Sequence, residues 1–306
     1  MPSEIISNQF PLVAGFGSSV LDILERTETI ELYGKNPVSH QIMQMGGVIP
    51  TALIVLARLG VPTELHTVIG DDMLGNKLLS ILTYEKVGTT NVIKNSSMVT
   101  PIATVILEKD TRTIFFTTEG FSKQFHPELA ASLSKNASYL LIDGHNAPMS
   151  HAFIQQARLS NTKIILDLGT PKEGLDGLIN EVDTIIVPGA YWKTLPEQDP
   201  KITAKNLLMK GPSTVIVTME NKGCFFATKD EIFYQPSYQV TAIDTNGAGD
   251  TFFGSLAYGL ICQWPLTKTA QYAAAAAALS CTKIGKDEKI PRSENEVFDF
   301  INTHTA

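Results

Sequence analysis

The segment DTNGAGDTFF, residues 244–253, carries the clearest chemical pattern in the chain. Apolar side chains recur at helical spacing after Asp250, so the turn GAGD, residues 247–250, is predicted to open a helix. Free N–H groups and the positive end of the helix dipole favour an anion at such a turn, and glycines let the anion approach the backbone. The Asp250 carboxylate could accept a proton from a hydroxyl nucleophile there. It could also serve only as the cap of a tight glycine turn.

The elements that must position this turn are indicated by short apolar runs that alternate with helical stretches. Runs rich in Ile and Val, buried on both faces, are typical of a parallel sheet covered by helices. Their alternation with helices predicts a doubly wound α/β fold. Strands are predicted at residues 12–17, 64–70, 139–144, 163–169, 184–189 and 213–219, and helices at residues 52–60, 74–82 and 151–159.

Two segments, residues 28–45 and 98–118, break this alternation. Both have strand-like composition with interleaved polar residues and a central turn, so antiparallel strands outside the main sheet are predicted. Together they could form a small lid over one end of the sheet, although a pair of ordinary surface hairpins would have the same pattern. A chain of 306 residues is near the upper limit for one hydrophobic core. We therefore expect a single domain, residues 1–306, with the lid as an appendage.

Composition and charge argue against several classes of protein. The chain has 43% apolar and 18% charged residues, which suits a well-packed enzyme rather than a disordered chain. A net charge of −7 without a long Lys or Arg run argues against a nucleic-acid or anionic-membrane partner. The sequence shows neither a secretory pattern nor an apolar run of about 18 residues, so a cytoplasmic protein is predicted. Three scattered cysteines are expected to be packed thiols in a reducing compartment.

Two signatures make the chain similar to a known family. DTNGAGDTFFGSLAYGL, residues 244–260, resembles the C-terminal signature of the ribokinase-like (PfkB) carbohydrate kinases, and GGVIPTALIVLARLG, residues 46–60, resembles their N-terminal signature. The resemblance implies a doubly wound sheet flanked by helices, with a small antiparallel β lid. Further segments match in the family's order at residues 13–24, 67–75, 140–145, 164–170, 217–227 and 281–291.

The resemblance implies an ATP-dependent kinase that transfers the γ-phosphate to a hydroxyl group of a sugar or sugar-like molecule. Asp250 would be the general base. The backbone of Gly247, Ala248 and Gly249 would hold the charge that develops on the phosphoryl oxygens. Mg²⁺ would bridge the β- and γ-phosphates largely through water, so no side chain is assigned as its direct ligand. K⁺ could bind near Asp244 as a further cofactor.

The resemblance also assigns residues to the acceptor substrate. Asp22 closes the segment that resembles the family's first strand and would bind substrate hydroxyls. The turn formed by Gly46 and Gly47, together with Thr51, would orient the sugar beside it. Arg112 lies where similar kinases place an Arg in the lid, although it could equally be a solvated strand residue.

The expected nucleotide site and partners follow from the same resemblance. His145 comes after a predicted strand end, where ligands bind in such folds, but a polar loop residue would give the same pattern. We expect a small sugar or nucleoside as the partner, and an exposed lid edge would favour a homodimer. The residues expected to bind the nucleotide are Thr218, Glu220, Gly223, Asn246, Gly247 and Gly249.

Three departures from the family pattern leave an alternative open. Thr51 stands where the N-terminal signature often has an Asn, and residues 187–195 lack the acidic group that many relatives carry there. Glu220 stands where a Gly is expected in the nucleotide turn, and a carboxylate near the ATP phosphates would repel them. The alternative is a weakened or inactive member that acts as a sugar- or nucleoside-binding or regulatory protein. A dinucleotide-dependent redox enzyme is a third hypothesis, but no strand–GxGxxG–helix unit supports it.

Overall fold

Strands and helices alternate along the chain in the computed structural model, which describes residues 10–108, 111–117 and 126–305. The strands are β1 (Leu12–Phe16), β2 (Val20–Thr27), β3 (His40–Gly46), β4 (Thr63–Gly70), β5 (Val92–Asn95), β6 (Ile102–Glu108), β7 (Thr111–Phe116), β8 (Ala137–Asp143), β9 (Lys163–Asp167), β10 (Thr184–Val187), β11 (Thr214–Thr218), β12 (Cys224–Ala227) and β13 (Ile232–Gln235). The helices are α1 (Val48–Arg58), α2 (Met73–Tyr84), α3 (Pro127–Ala131), α4 (Ala147–Leu159), α5 (Gly189–Trp192), α6 (Pro200–Leu208), α7 (Ala248–Ile261), α8 (Leu266–Ser280), α9 (Lys286–Lys289) and α10 (Glu294–Thr303).

Nine strands of the described residues form the main sheet, in the order β13-β12-β11-β10-β9-β8-β1-β4-β5. The strands from β11 to β5 in this order are parallel, whereas β12 and β13 continue the sheet in antiparallel pairs. Their runs of Ile, Val and Leu are buried, as expected for a sheet covered on both faces. The predicted α/β fold with flanking helices is therefore confirmed.

The helices cover the two faces of this sheet through two hydrophobic clusters. One cluster packs α1, α7 and α8 against side chains such as Val13 and Leu65, and the other packs α4 and α6 against their sheet neighbours Ala14 and Leu166. Successive residues of one strand thus face opposite layers. No helix in the described part of the chain combines the length and apolar character that crossing a bilayer requires.

A second sheet of four strands, in the order β3-β2-β6-β7, lies outside the main sheet, and we call it the lid sheet. Its outer pairs are antiparallel, whereas β2 and β6 pair in parallel, so the sheet is mixed. The prediction for residues 98–118 corresponds to β6 and β7, with residues 109–110 and 118 outside the described residues.

The prediction of antiparallel strands within residues 28–45 is wrong for the first part of the segment. Residues 28–39 contain turns and bends without a strand, and only β3 lies in the second part of that segment. Gly34, Asn36 and Pro37 explain this, because such residues favour turns over a ladder. The partner strand is β2, which the sequence prediction had merged with the first strand. Asp22 therefore lies inside the lid sheet, opposite Gln44 of β3, rather than at the end of a strand of the main sheet.

Candidate functional site

The predicted anion-binding turn opens α7. Gly247 is the N-cap residue with φ 81°, and Asp250 lies in the first turn of the helix. A side chain at Gly247 would be strained by this φ, and its Cβ would come within 2.9 Å of Lys286 Cε. Asp250 is therefore not the helix cap. The first N–H groups of a helix have no intrahelical acceptor, although that of Ala248 donates to the Thr245 carbonyl at 3.3 Å.

Two carboxylates share one buried ammonium group beside this turn. Lys286 Nζ lies 3.3 Å from Asp22 Oδ2 and 3.7 Å from Asp250 Oδ2. It also donates to Thr51 Oγ1 at 3.1 Å, and the Asn246 side-chain amide donates to Asp22 Oδ2 at 3.3 Å. The Lys286 side chain is only 6% exposed, so its charge is balanced mainly by these carboxylates.

The Asp250 carboxyl has a raised pKa. Burial is the main cause, because it disfavours the charged form. The positive charges of Lys286, Lys289 and Arg112 oppose the shift, whereas the negative charge of Asp22 adds to it. A carboxyl whose pKa is shifted upward is a better proton acceptor once ionised, which suits a general base.

The glycine turn before α1 leaves room for the Asp22 carboxylate. A Cβ at Gly46 would lie 2.1 Å from Asp22 Oδ1, so only a glycine leaves room for that oxygen. Gly47 has φ 92° and is the N-cap residue of α1. Its carbonyl accepts a hydrogen bond from Thr51 Oγ1 at 2.7 Å. Asp22 and the predicted substrate residues of the N-terminal signature, Gly46, Gly47 and Thr51, are thus neighbours in space.

Arg112 connects the lid sheet to the segment that leads into the turn of residues 247–250, which we call the anion turn. It lies on β7, and its guanidinium donates to Thr245 Oγ1 at 3.4 Å. The contact is long and exposed, so its contribution to stability is small. It nevertheless brings a positive charge towards the segment that leads into α7.

A second group of predicted residues lies where β11 ends. Thr218 is the last residue of β11, and its carbonyl accepts a hydrogen bond from Trp192 Nε1 at 2.9 Å. Glu220 begins a short 3₁₀ turn, and Gly223 follows that turn with φ 95°. Thr218, Glu220 and Gly223 therefore adjoin one another, at a strand end where ligands bind in open α/β sheets.

The Glu220 carboxylate is paired and lies against α5. Lys193 Nζ contacts its two oxygens at 2.8 and 2.9 Å. A Cβ at Gly189 would come within 2.2 Å of Glu220 Oε1, so the carboxylate occupies the space that a side chain at that position would need. Gly189 belongs to the segment in which the sequence lacks an acidic residue. The Glu220 carboxylate, which comes from the neighbouring loop, thus lies beside the segment that has no acidic residue of its own.

Further charged residues adjoin the site. At the ends of β8 and β9, the His145 ring contacts the Asp143 carboxylate at 3.2 Å, and this anion raises the pKa of His145. Burial raises the pKa of Asp167 to about 7, and the nearby charge of Asp250 adds to the shift. The charged residues that sequence reasoning missed are Asp167, Lys286 and Lys289; the two lysines lie in the matching segment 281–291, in which no residue was assigned a role. The signal that could have indicated them is their spacing of three residues, which places both on one side of a short helix.

Asp244 lies in a separate contact with α9. Its side chain is fully buried, and its carboxylate contacts Lys289 Nζ at 3.1 Å. The other oxygen of the carboxylate accepts the Asn246 backbone N–H at 2.7 Å. At Asp244, near which the sequence allowed K⁺ to bind, a lysine ammonium therefore contacts both the Asp244 carboxylate and the Asn246 carbonyl.

Comparisons with known proteins agree with this fold. The ribokinase of Haemophilus influenzae is 26% identical over 270 residues, which cover 84% of this chain and 87% of that protein. The structure of Arabidopsis thaliana ribokinase with ribose and ATP has a TM-score of 0.78 at 20% identity and covers 96% of this chain and 99% of that one. An E. coli protein assigned as a ribokinase II, in complex with ATP and Mg²⁺, has a TM-score of 0.85 at 21% identity, with coverage of 96% and 100%.

The family comparison covers nearly the whole chain. The model of the pfkB family carbohydrate kinases matches residues 11–292, which include both glycine turns and the two lysines of α9. This match, together with the ribokinase-like fold, confirms the predicted membership. The chain belongs to the pfkB family of carbohydrate kinases.

Proposed function

We propose that this kinase transfers the γ-phosphate of ATP to a hydroxyl group of a sugar, with Asp250 as the general base. The observation that carries the proposal is the position of Asp250 in the first turn of α7, where it shares the Lys286 ammonium with Asp22. A proton acceptor, a helix N-terminus and a hydroxyl-binding carboxylate thus lie side by side. Such an arrangement serves a reaction in which a hydroxyl loses a proton while it attacks a phosphoryl group.

The acceptor is proposed to lie between Asp22 and Asp250. Asp22, which lies beside the Gly46–Gly47 turn, would accept hydrogen bonds from sugar hydroxyls, and Lys286 would donate to their oxygens. Asp250 would then take the proton of the attacking hydroxyl. A sugar is favoured because relatives are ribokinases and a deoxyribokinase, and a nucleoside is the other acceptor compatible with the same groups.

The anion turn is proposed to receive the phosphate of ATP. A Cβ at Gly249 would meet nothing within 4 Å, so the turn opens onto free space large enough for a ligand to approach the backbone. The N–H groups of the first turn of α7 would donate to phosphoryl oxygens. The nucleotide would extend towards Thr218, Glu220 and Gly223 at the end of β11. Mg²⁺ would be held mainly by phosphates and water, since the described residues contain no cluster of three metal-binding side chains.

We propose further that the chain forms one kinase domain and that its lid sheet pairs with a second copy in a cytoplasmic homodimer. The outermost strand β7 exposes Ile114, Phe115 and Phe116, with Phe116 69% exposed. An exposed apolar edge strand of this kind favours pairing with another strand. Sedimentation of the protein at micromolar concentration tests this proposal, and a monomer at that concentration would contradict it.

The experiment that tests the reaction is ATP consumption with Mg²⁺ across a panel of sugars, sugar phosphates, keto-deoxy acids and nucleosides. Turnover with one acceptor is expected, and Asp250→Asn should lower it by about 10²–10⁴-fold while the fold is retained, because the general base is lost. Near-normal turnover of the variant would refute the role of Asp250.

The panel also tests the alternative function. The observation behind a weakened or inactive member is the Glu220 carboxylate in the nucleotide turn, which would repel phosphates wherever its pairing with Lys193 is broken. Absence of turnover across the panel, with thermal stabilisation by a sugar but not by ATP, would support a sugar-binding or regulatory protein instead.

A further inference from the structure

The ammonium group of Lys289 is enclosed by oxygen atoms of the segment that leads into the anion turn. It contacts Asp244 Oδ2 at 3.1 Å and the Asp244 carbonyl at 2.8 Å, and it donates to the Asn246 carbonyl at short distance. The Lys289 side chain is 1% exposed and that of Asp244 is not exposed at all. Three oxygens thus match the three protons of an ammonium group, and the charge of the carboxylate is balanced.

These contacts fix the direction of the peptide groups that precede α7. In a trans peptide the C=O and N–H bonds point in opposite directions. Because the Asn246 carbonyl points at Lys289, the N–H group of Gly247 in the same peptide points away from it. The Asn246 N–H is fixed in addition by Asp244 Oδ1 at 2.7 Å. The cation therefore sets the geometry of the turn from the side opposite to the expected phosphate.

One carboxylate oxygen and two carbonyl oxygens that surround a buried point could also serve as the ligands of a dehydrated monovalent cation. There is no room for K⁺ among these oxygens, because the Lys289 ammonium already contacts all three of them. Gly285, which precedes α9, closes the same place, since its N–H donates to Asp244 Oδ2 at 3.3 Å. The observed contacts thus disagree with a K⁺ site near Asp244 and Asn246.

We propose that Lys289 is a positioning residue whose ammonium serves as a built-in cation for the anion turn, so that the protein needs no free monovalent cation. The inference rests on the proposed function only in taking that turn as the phosphate site. It predicts that the affinity for ATP, the turnover and the thermal stability of the natural protein do not depend on which monovalent cation is present.

The decisive experiment compares the natural protein in K⁺, in Na⁺ and in tetramethylammonium at equal ionic strength. Tetramethylammonium is too large to enter the site. The melting temperature, the ATP dissociation constant and the turnover should be the same in the three salts. A loss of about tenfold or more in ATP affinity or turnover in tetramethylammonium, restored by K⁺, would overturn the proposal.

A variant supplies the converse test. Lys289→Ala removes the ammonium and leaves space beside Asp244, so K⁺ or NH₄⁺ should raise its melting temperature and its ATP affinity, whereas tetramethylammonium should not. Lys163→Ala is the matched control, because Lys163 also pairs with an aspartate, Asp183, at 3.2 Å, but is mostly exposed. The control should respond to cations as the natural protein does. A soluble Lys289→Ala variant without any cation response would overturn the proposal.

The outcomes separate this inference from the kinase proposal. If the natural protein shows no turnover with any acceptor, the kinase proposal fails, but the melting temperatures in the three salts still decide the role of Lys289. If Lys289→Ala is insoluble, the comparison of salts on the natural protein decides it alone. If turnover is present and requires K⁺, the kinase proposal stands and the inference about Lys289 fails.

Discussion

Replacing Lys286 by methionine is the sharpest test of how the site controls its general base. The substitution keeps most of the side-chain volume but removes the positive charge 3.7 Å from Asp250 and 3.3 Å from Asp22. Two unit charges about 4 Å apart interact by about 4 kcal/mol at an effective dielectric constant of 20. Loss of this attraction raises the pKa of Asp250 further, because burial already disfavours its charged form.

The assay is the pH dependence of kcat/KM for the sugar that the acceptor panel identifies. Asp250 must be ionised to accept a proton, so activity falls as the pH drops through its pKa. In Lys286→Met this acidic limb should shift to higher pH, whereas in Lys286→Arg, which keeps the charge, it should stay near its original position. The matched control is Lys163→Met, which removes an exposed lysine and should leave the profile unchanged.

The same substitution has an expected effect on stability. Removing one partner of a buried ion pair costs about 3–5 kcal/mol, because the remaining carboxylates stay buried without their counter-charge. The free energy of unfolding in urea should fall by an amount of this order. If Lys286→Met folds and its acidic limb coincides with that of the natural protein, the ammonium does not set the pKa of Asp250 and the reasoning is wrong.

Two further predictions concern the other carboxylates. Glu220→Gly should lower the KM for ATP, since it removes a negative charge and frees Lys193 for the phosphates; an unchanged KM would mean that the Glu220 side chain lies away from the nucleotide. Burial raises the pKa of Asp167 from 3.8 to about 7, so it binds more protons folded than unfolded, and stability should fall as the pH rises through that window, by at most about 4 kcal/mol. Asp167→Asn keeps the acceptor for the Gly169 N–H and should be more stable than the natural protein at pH 8 but not at pH 4; equal unfolding free energies at pH 8 would contradict this.

The main sheet could be predicted from the sequence because its strands are short runs of buried Ile, Val and Leu between helices. β9, with the sequence KIILD, is of this kind. The lid sheet was harder, because its strands are half exposed and their polar positions resemble loops. β2 begins only four residues after β1 ends, so the sequence pattern does not separate the two strands. Tertiary pairing, here with β3 and β6, decides such a boundary.

The candidate site could be predicted where glycines and a carboxylate form a signature, but not where charges are buried. The residues around Asp250 belong to a long and specific motif. Lys286 and Lys289 lie in the sequence KDEK, which reads as a solvated turn because isolated lysines are rarely buried. Their burial depends on Asp22, Asp244 and Asp250, and a four-residue helix is too short to give a periodic signal. Only the folded chain brings these charges together.

The departures from the family pattern are not independent. At each position where the expected polar side chain is absent, a polar side chain from another part of the chain lies beside it. Thr51 has a hydroxyl group where the family often has an amide. Lys286 Nζ lies 3.1 Å from that hydroxyl, in space that a longer amide side chain would partly occupy. Gly189 has no side chain, and the Glu220 carboxylate fills the space beside it. In both places the polar group is supplied from a neighbouring loop rather than lost. Thr51 is fully buried, and an unpaired hydroxyl there would cost about 1–3 kcal/mol, but this hydroxyl is paired with Lys286 and with the Gly47 carbonyl. The paired Thr51 hydroxyl therefore favours an acceptor site that still binds ligands, with altered selectivity, over one that has lost its function.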